Sequence, residues 1–222
     1  VSLGSSALAA NTTANNNTAV GHNSGGSITT GIQNTLIGSL AGDALTTSNN
    51  NVAIGAYALT TDTFGSGSIA IGRQALQTQN FTSATTSYNV AVGDQAGLSV
   101  TTGINNTLIG GLAGDAFNTS NYNTVVGYGA LSSDTKGERS TAVGQEALAS
   151  QNFTSQTTTG NTALGFQAGR LITTGANNTL VGAETGDQIT TGANNTAVGT
   201  SALGANTTGD ATTAVGKDSM KT

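Results

Sequence analysis

The stretches Asn178-Thr-Leu-Val-Gly182, Asn195-Thr-Ala-Val-Gly199 and Thr212-Thr-Ala-Val-Gly216 follow one another at 17-residue intervals. Each reads as a polar residue, a β-branched residue, a small or aliphatic residue, an aliphatic residue and Gly. Working outward, the same mark recurs at Gly4, Gly21, Gly38, Gly55, Gly72, Gly93, Gly110, Gly127, Gly144, Gly165, Gly182, Gly199 and Gly216. The spacing is 17 throughout except for two steps of 21, from Gly72 to Gly93 and from Gly144 to Gly165. A register held over thirteen marks is the signature of a solenoid, in which each repeat buries its apolar side chains against its neighbours. The expected fold is all-β, a parallel β-roll of about 13 coils forming one domain over residues 1–222.

The columns of the repeat carry its physics. The residue before each Gly is aliphatic in all thirteen coils, and the residue three before it is always β-branched. Both shapes suit a strand, and their alternation puts them on one face. That face is expected to line the coil interior. The residue between them is then expected on the outside: Ala19, Leu36, Ala53, Ala70, Ala91, Leu108, Val125, Ala142, Ala163, Leu180, Ala197 and Ala214, with Ser2 in the first coil. An exposed strand face is normally polar, so a small apolar column there predicts a second buried surface between protomers.

Four residues before the Gly, Asn recurs in most coils (Asn17, Asn34 and Asn51, then Asn89, Asn106 and Asn123), with Ser68, Ser140 and Thr212 as replacements. Coils stacked ~4.8 Å apart would align these amides into a hydrogen-bonded ladder. A second short strand is expected after each Gly, with Ala three residues on in ten coils. The position after that alternates in pairs: Leu8, Gly25, Gly42, Leu59, Leu76, Gly97, Gly114, Leu131, Leu148, Gly169, Gly186, Leu203 and Met220. The higher period is thus four coils, or 72 residues, as the pair Gln79-Asn-Phe-Thr-Ser83 and Gln151-Asn-Phe-Thr-Ser155 also shows.

Composition narrows the function. Of 222 residues only 8% are charged and 4% aromatic, against 32 Gly, 40 Thr and 23 Asn, with no Pro, Cys or Trp. Without Cys and with His22 as the single His, thiol chemistry, disulfides and the usual zinc sites are excluded. His22 has no partner base in the repeat, so no catalytic constellation is visible and neither an enzyme nor a cofactor is expected. Six scattered basic residues and a net charge of −5 argue against nucleic acid. No apolar run reaches the ~20 residues of a membrane span, and none of the N-terminal residues reads as a signal peptide.

The 21-residue coils hold the candidate sites, in the loops Gln77–Ser87 and Ala149–Thr159. Loops on a rigid scaffold are where binding residues tend to sit. Asn80 and Phe81, with Asn152 and Phe153, are therefore candidates for receptor or lateral contact, against the alternative that each Phe packs onto the roll. Asp43, Asp115 and Asp187 share a column but lie four coils apart, too far for one calcium ion, and read as turn residues. Asp62-Thr-Phe-Gly65 and Asp134-Thr-Lys-Gly137 read as turns as well.

The runs Asn17-Thr-Ala-Val-Gly21, Asn161-Thr-Ala-Leu-Gly165 and Asn195-Thr-Ala-Val-Gly199 resemble the head repeats of trimeric autotransporter adhesins and, more closely, bacteriophage tail-fibre shafts. The resemblance covers nearly the whole chain, although adhesin head coils are usually shorter than 17 residues. It implies a left-handed roll, a side-by-side homotrimer, and an extracellular place on a virion fibre or cell surface. The expected function is a structural fibre module of an attachment protein, a phage tail fibre ahead of an adhesin head. Its partners would be its own copies and a host glycan or protein. No neck, stalk, anchor or fibre chaperone is expected within the chain. An end-to-end filament and an ice-binding solenoid are the alternatives. An interior position for the Thr-rich column weighs against ice binding.

Overall fold

The computed structural model describes residues 1–220, so the last two residues of the expected domain lie outside it. The described chain contains no helix. Its strands are β1 (Ser2–Leu3), β2 (Thr18–Val20), β3 (Thr35–Ile37), β4 (Val52–Ile54), β5 (Gly65–Ser66), β6 (Ile69–Ile71), β7 (Thr85–Thr86), β8 (Val90–Val92) and β9 (Thr107–Ile109). They continue with β10 (Thr124–Val126), β11 (Gly137–Glu138), β12 (Thr141–Val143), β13 (Thr157–Thr158), β14 (Thr162–Leu164), β15 (Thr179–Val181), β16 (Thr196–Val198) and β17 (Thr213–Val215). Thirteen of them, one per coil, form a single parallel sheet along the rod, and β5–β7 and β11–β13 form two-stranded ledges beside it. Like pairs with like in the long sheet, for example Thr18 with Thr35 and Val20 with Ile37. The chain is therefore a β-solenoid of about 13 turns with a repeat of about 17 residues. At ~4.8 Å per coil the rod is roughly 58 Å long.

The strand faces are the reverse of the sequence expectation. The middle column, Ala19 through Ala214, is 0–2% exposed within a single chain and forms the core. These residues touch their own coil and cannot serve as an interprotomer column. The flanking residues point outward, and Leu164 and Val198 are 46% and 39% exposed. The reason is width. A three-residue strand turns only its middle side chain inward, and a thin coil has no room there for two bulky columns.

What fills that narrow interior explains the 72-residue period. Where the middle residue is Leu36, the left-handed position after the following turn is Gly42, and in the preceding coil it is Gly25. A Cβ at Gly25 would stand 2.7 Å from Leu36 Cδ1, and one at Gly42 2.8 Å from Leu36 Cδ2. Leu108 meets Gly97 and Gly114 in the same way, and Leu180 meets Gly169 and Gly186. Where neither a coil nor the next one has Leu in the middle, as at Ala53 and Ala70, the left-handed position carries Leu59 or Leu76 instead. The coils with Gly there regain volume three residues later, from Ile28, Leu45, Val100, Phe117, Ile172 and Ile189, all fully buried. Large and small thus alternate in register, which keeps a one-side-chain-wide core at close-packed density.

The expected second strand is a run of turns. Residues two and four after the Gly are left-handed, as Leu40 (φ 58°) and Gly42 (φ 55°) illustrate. Their N–H groups still bond the adjacent coils: Leu40 N–H donates to His22 O at 2.9 Å and Gly42 N–H to Ala58 O at 2.9 Å. Backbone groups are satisfied between coils on this side too, without extended dihedrals.

The Asn ladder forms inside the corner. Asn106 Oδ1 accepts the backbone N–H of Asn123 at 3.0 Å, and Asn106 Nδ2 donates to Ser120 O at 2.8 Å. Successive amides also touch, with Asn106 Nδ2 at 3.3 Å from Asn89 Oδ1.

Candidate functional surfaces

The outward face of the long sheet is the largest regular surface. Its inner edge is the column of thirteen aliphatic residues before each Gly. Its outer edge holds nine Thr with Val1, Val52, Ile69 and Val90. In the middle of the rod Val52, Ile54, Ile69, Ile71, Val90 and Val92 make both columns aliphatic. The column before each Gly is thus a continuous aliphatic stripe along the rod. The sequence expectation, with these columns facing the interior, places no such stripe on the surface.

The loops of the long coils behave differently from one another along their length. Phe81 and Phe153 are buried, at 5% and 8% exposure, and pack onto the roll. Asn80 Oδ1 accepts the Thr63 hydroxyl at 3.0 Å, and Asn152 Oδ1 accepts the Thr135 hydroxyl at 3.1 Å. These four candidates hold their loops in place. The free surface of the first loop lies further on, where β7 forms a ledge with β5.

Beneath each ledge sits a buried polar cluster that the turn reading captured only in part. Asp62 Oδ1 accepts the Gly65 N–H at 2.9 Å, which is the expected turn bond. The same carboxylate also accepts Gln79 Nε2 at 2.6 Å and the Phe81 N–H at 3.3 Å, so it ties the long loop to the coil before it. Gln79 Nε2 bonds Ser68 Oγ at 2.8 Å, Ser68 bonds Ser87, and Gln79 Oε1 accepts Asn89 Nδ2 at 2.9 Å. Ser68 stands where the Asn ladder is interrupted, and the Gln79 amide takes the missing place. Asp134, Gln151, Ser140, Thr159 and Asn161 repeat the arrangement.

Burial pushes the Asp62 carboxyl above its ordinary value of 3.8, against the lowering effect of the Gln79 and backbone donors. A folded-state value above the unfolded one favours folding of the protonated form. The contribution is therefore fully present below the unfolded pKa and is lost as pH rises through the folded one. Compared with Asp62→Asn in urea denaturation, the wild-type chain is expected to gain relative stability as the pH is lowered from 7 to 3. A difference between the two that is the same at both pH values would contradict this.

Of the remaining candidates, Asp43 accepts the Thr60 hydroxyl at 2.7 Å, as a turn residue stitched to the next coil. Burial also raises the Asp115 carboxyl. His22 is exposed. Among the described residues no group of three or more His, Cys, Asp or Glu could hold a metal ion. Comparison with protein-family models, curated proteins and solved structures found no match.

Proposed function

We propose that the chain is a structural shaft module of an extracellular attachment fibre, a virion tail fibre ahead of an adhesin head, assembled from three rods side by side. The supporting observation is the outward stripe of aliphatic and β-branched residues that runs the length of the rod. A stripe roughly 58 Å long and about 10 Å wide offers roughly 600 Å² per protomer. That area matches the lower end of stable interfaces, at about 600–1,000 Å² per partner. A threefold axis along the stripe would remove it from water on every copy at once. The rod would then serve as a stiff, chemically plain spacer between a particle and a host glycan or protein.

Light scattering tests this. The reading expects three times the 21.7 kDa protomer mass. A monomer would contradict it, and a heterogeneous mass far above a trimer would favour coil ends stacking into a filament. A second reading gains from the outward turn of the Thr column. Seven consecutive Thr, from Thr107 to Thr213, at ~4.8 Å steps beside an aliphatic column form an array that can order a water lattice. A monomeric chain that also lowers the freezing point of its solution below the melting point would favour that reading.

A further inference from the structure

The first ledge overhangs a groove of about 430 Å³, lined mainly by Asn49, Asn50, Ser66, Thr85, Thr86 and Tyr88. Tyr88 is 64% exposed and left-handed, at φ 51°. A β-branched or aromatic residue is held in that backbone region only against steric cost. The solenoid corner imposes it: the residue before the ladder position is left-handed from Asn16 to Ala211, as at Asn105 (φ 59°) and Tyr122 (φ 61°).

The internal duplication supplies a comparison within the chain. Seventy-two residues on, the same backbone position is Gly160 at φ 61°, which adopts the conformation without strain. Around it the second groove is occupied by the chain itself. Glu138 Oε1 accepts both Asn121 Nδ2 at 2.7 Å and Gln156 Nε2 at 2.6 Å, and the Arg139 guanidinium lies 5.1 Å from the centre of the Tyr122 ring. In the first copy the position of Arg139 is Gly67, where an added Cβ would lie 3.7 Å from the Tyr88 ring. Glu138 and Gln156 are replaced by Ser66 and Ala84. One ledge is therefore filled and charged, and the other is open and uncharged.

We propose that the open groove is a binding site for a neutral carbohydrate. A hexose ring has an apolar C–H face, which suits a tyrosine ring, and a rim of hydroxyls, which suits amides and hydroxyls. Among the described residues the Asn50 side-chain amide and the Thr86 and Tyr88 hydroxyls make no hydrogen bond within the chain. No Lys, Arg, Asp or Glu lines the groove, which disfavours phosphate-bearing or charged ligands. The volume falls within the range of small-molecule sites and fits one or two sugar rings. The site rests on the groove alone and does not require the rod to assemble.

The test is saturation-transfer NMR on the full chain with glucose, galactose, mannose and N-acetylglucosamine at millimolar concentration. Transfer to the ring C–H protons of at least one sugar is expected. Tyr88→Gly, which copies the residue of the second ledge and relieves strain, should weaken that binding about tenfold or more. Tyr128→Ala, another exposed tyrosine, should leave it unchanged. Absence of transfer from all four sugars, or transfer equal in wild type and Tyr88→Gly, overturns the proposal. Binding by a chain that light scattering finds monomeric would keep the groove and remove the trimeric fibre.

Discussion

Gly110→Ala is expected to cost about 3–5 kcal/mol, enough to melt the middle of the rod. At φ +131° Gly110 lies in a backbone region that side chains rarely enter, and an added Cβ would meet Gly127 O at 2.6 Å. The obstacle is the backbone of the next coil, so no rotamer change relieves it. Strain at such a φ costs about 1–3 kcal/mol, and overpacking against a fixed neighbour costs about as much again. The same stacking repeats from Gly4 to Gly199, which is why the mark is invariant. Gly129→Ala is the control. Its φ is +62°, the nearest atom to a Cβ there is Glu146 Cγ at 3.8 Å, and Leu112 and Glu146 occupy the equivalent place in adjacent coils. It should cost about 1 kcal/mol. Thermal melting followed by circular dichroism distinguishes the two, and equal midpoints would contradict the stacking argument. In a solenoid the loss need not be global, since each coil leans only on its neighbours.

The second large effect concerns two adjacent residues that face opposite ways. Ala70→Asp places a carboxylate in a fully buried core position with no partner, a change on the scale of about 3–5 kcal/mol or more. It should abolish the folded dichroism signal of the central coils. Ile71→Asp puts the same charge on the outward stripe, where solvent reaches it in a lone chain. Folding should be nearly unaffected, at under about 1 kcal/mol. Assembly should fail, because three copies would bring carboxylates together on a dry axis. The pair is read by dichroism and light scattering together. Damage from both substitutions to the fold alone would contradict the assigned faces.

The coil count, the in-register pairing, the Asn ladder and the turn role of Asp62 were all legible in the sequence, because a strict spacing converts directly into stacked neighbours. The direction of the strand faces was not. Period-two alternation says that Ala70 and Ile71 oppose each other, and it does not say which is inside when both are apolar. Size pointed the wrong way: the larger residues look like a core until the width of a coil is considered. A signal was nevertheless present. Leu36, Leu108 and Leu180 stand in register with Gly25 and Gly42, Gly97 and Gly114, and Gly169 and Gly186, a complementarity that has meaning only if those side chains touch. The turns after each Gly read as strand because Leu in a left-handed conformation, as at Leu59 and Leu131, is an uncommon choice. For Phe81 and Phe153 the packing alternative is the one the structure shows. Phe81 folds inward, and Tyr88, one residue beyond the loop, stays in solvent.

The central claim, that the outward stripe is where copies of the rod meet, is tested most directly by a thiol at Ile71. The chain contains no Cys, so Ile71→Cys carries a single reactive group. Its alkylation rate would be measured across a dilution series alongside the solution mass. The predicted result is a thiol protected at concentrations where the mass is three protomers and reactive once the mass falls to one. A thiol that reacts freely at every concentration, or a mass of one protomer throughout, would contradict it.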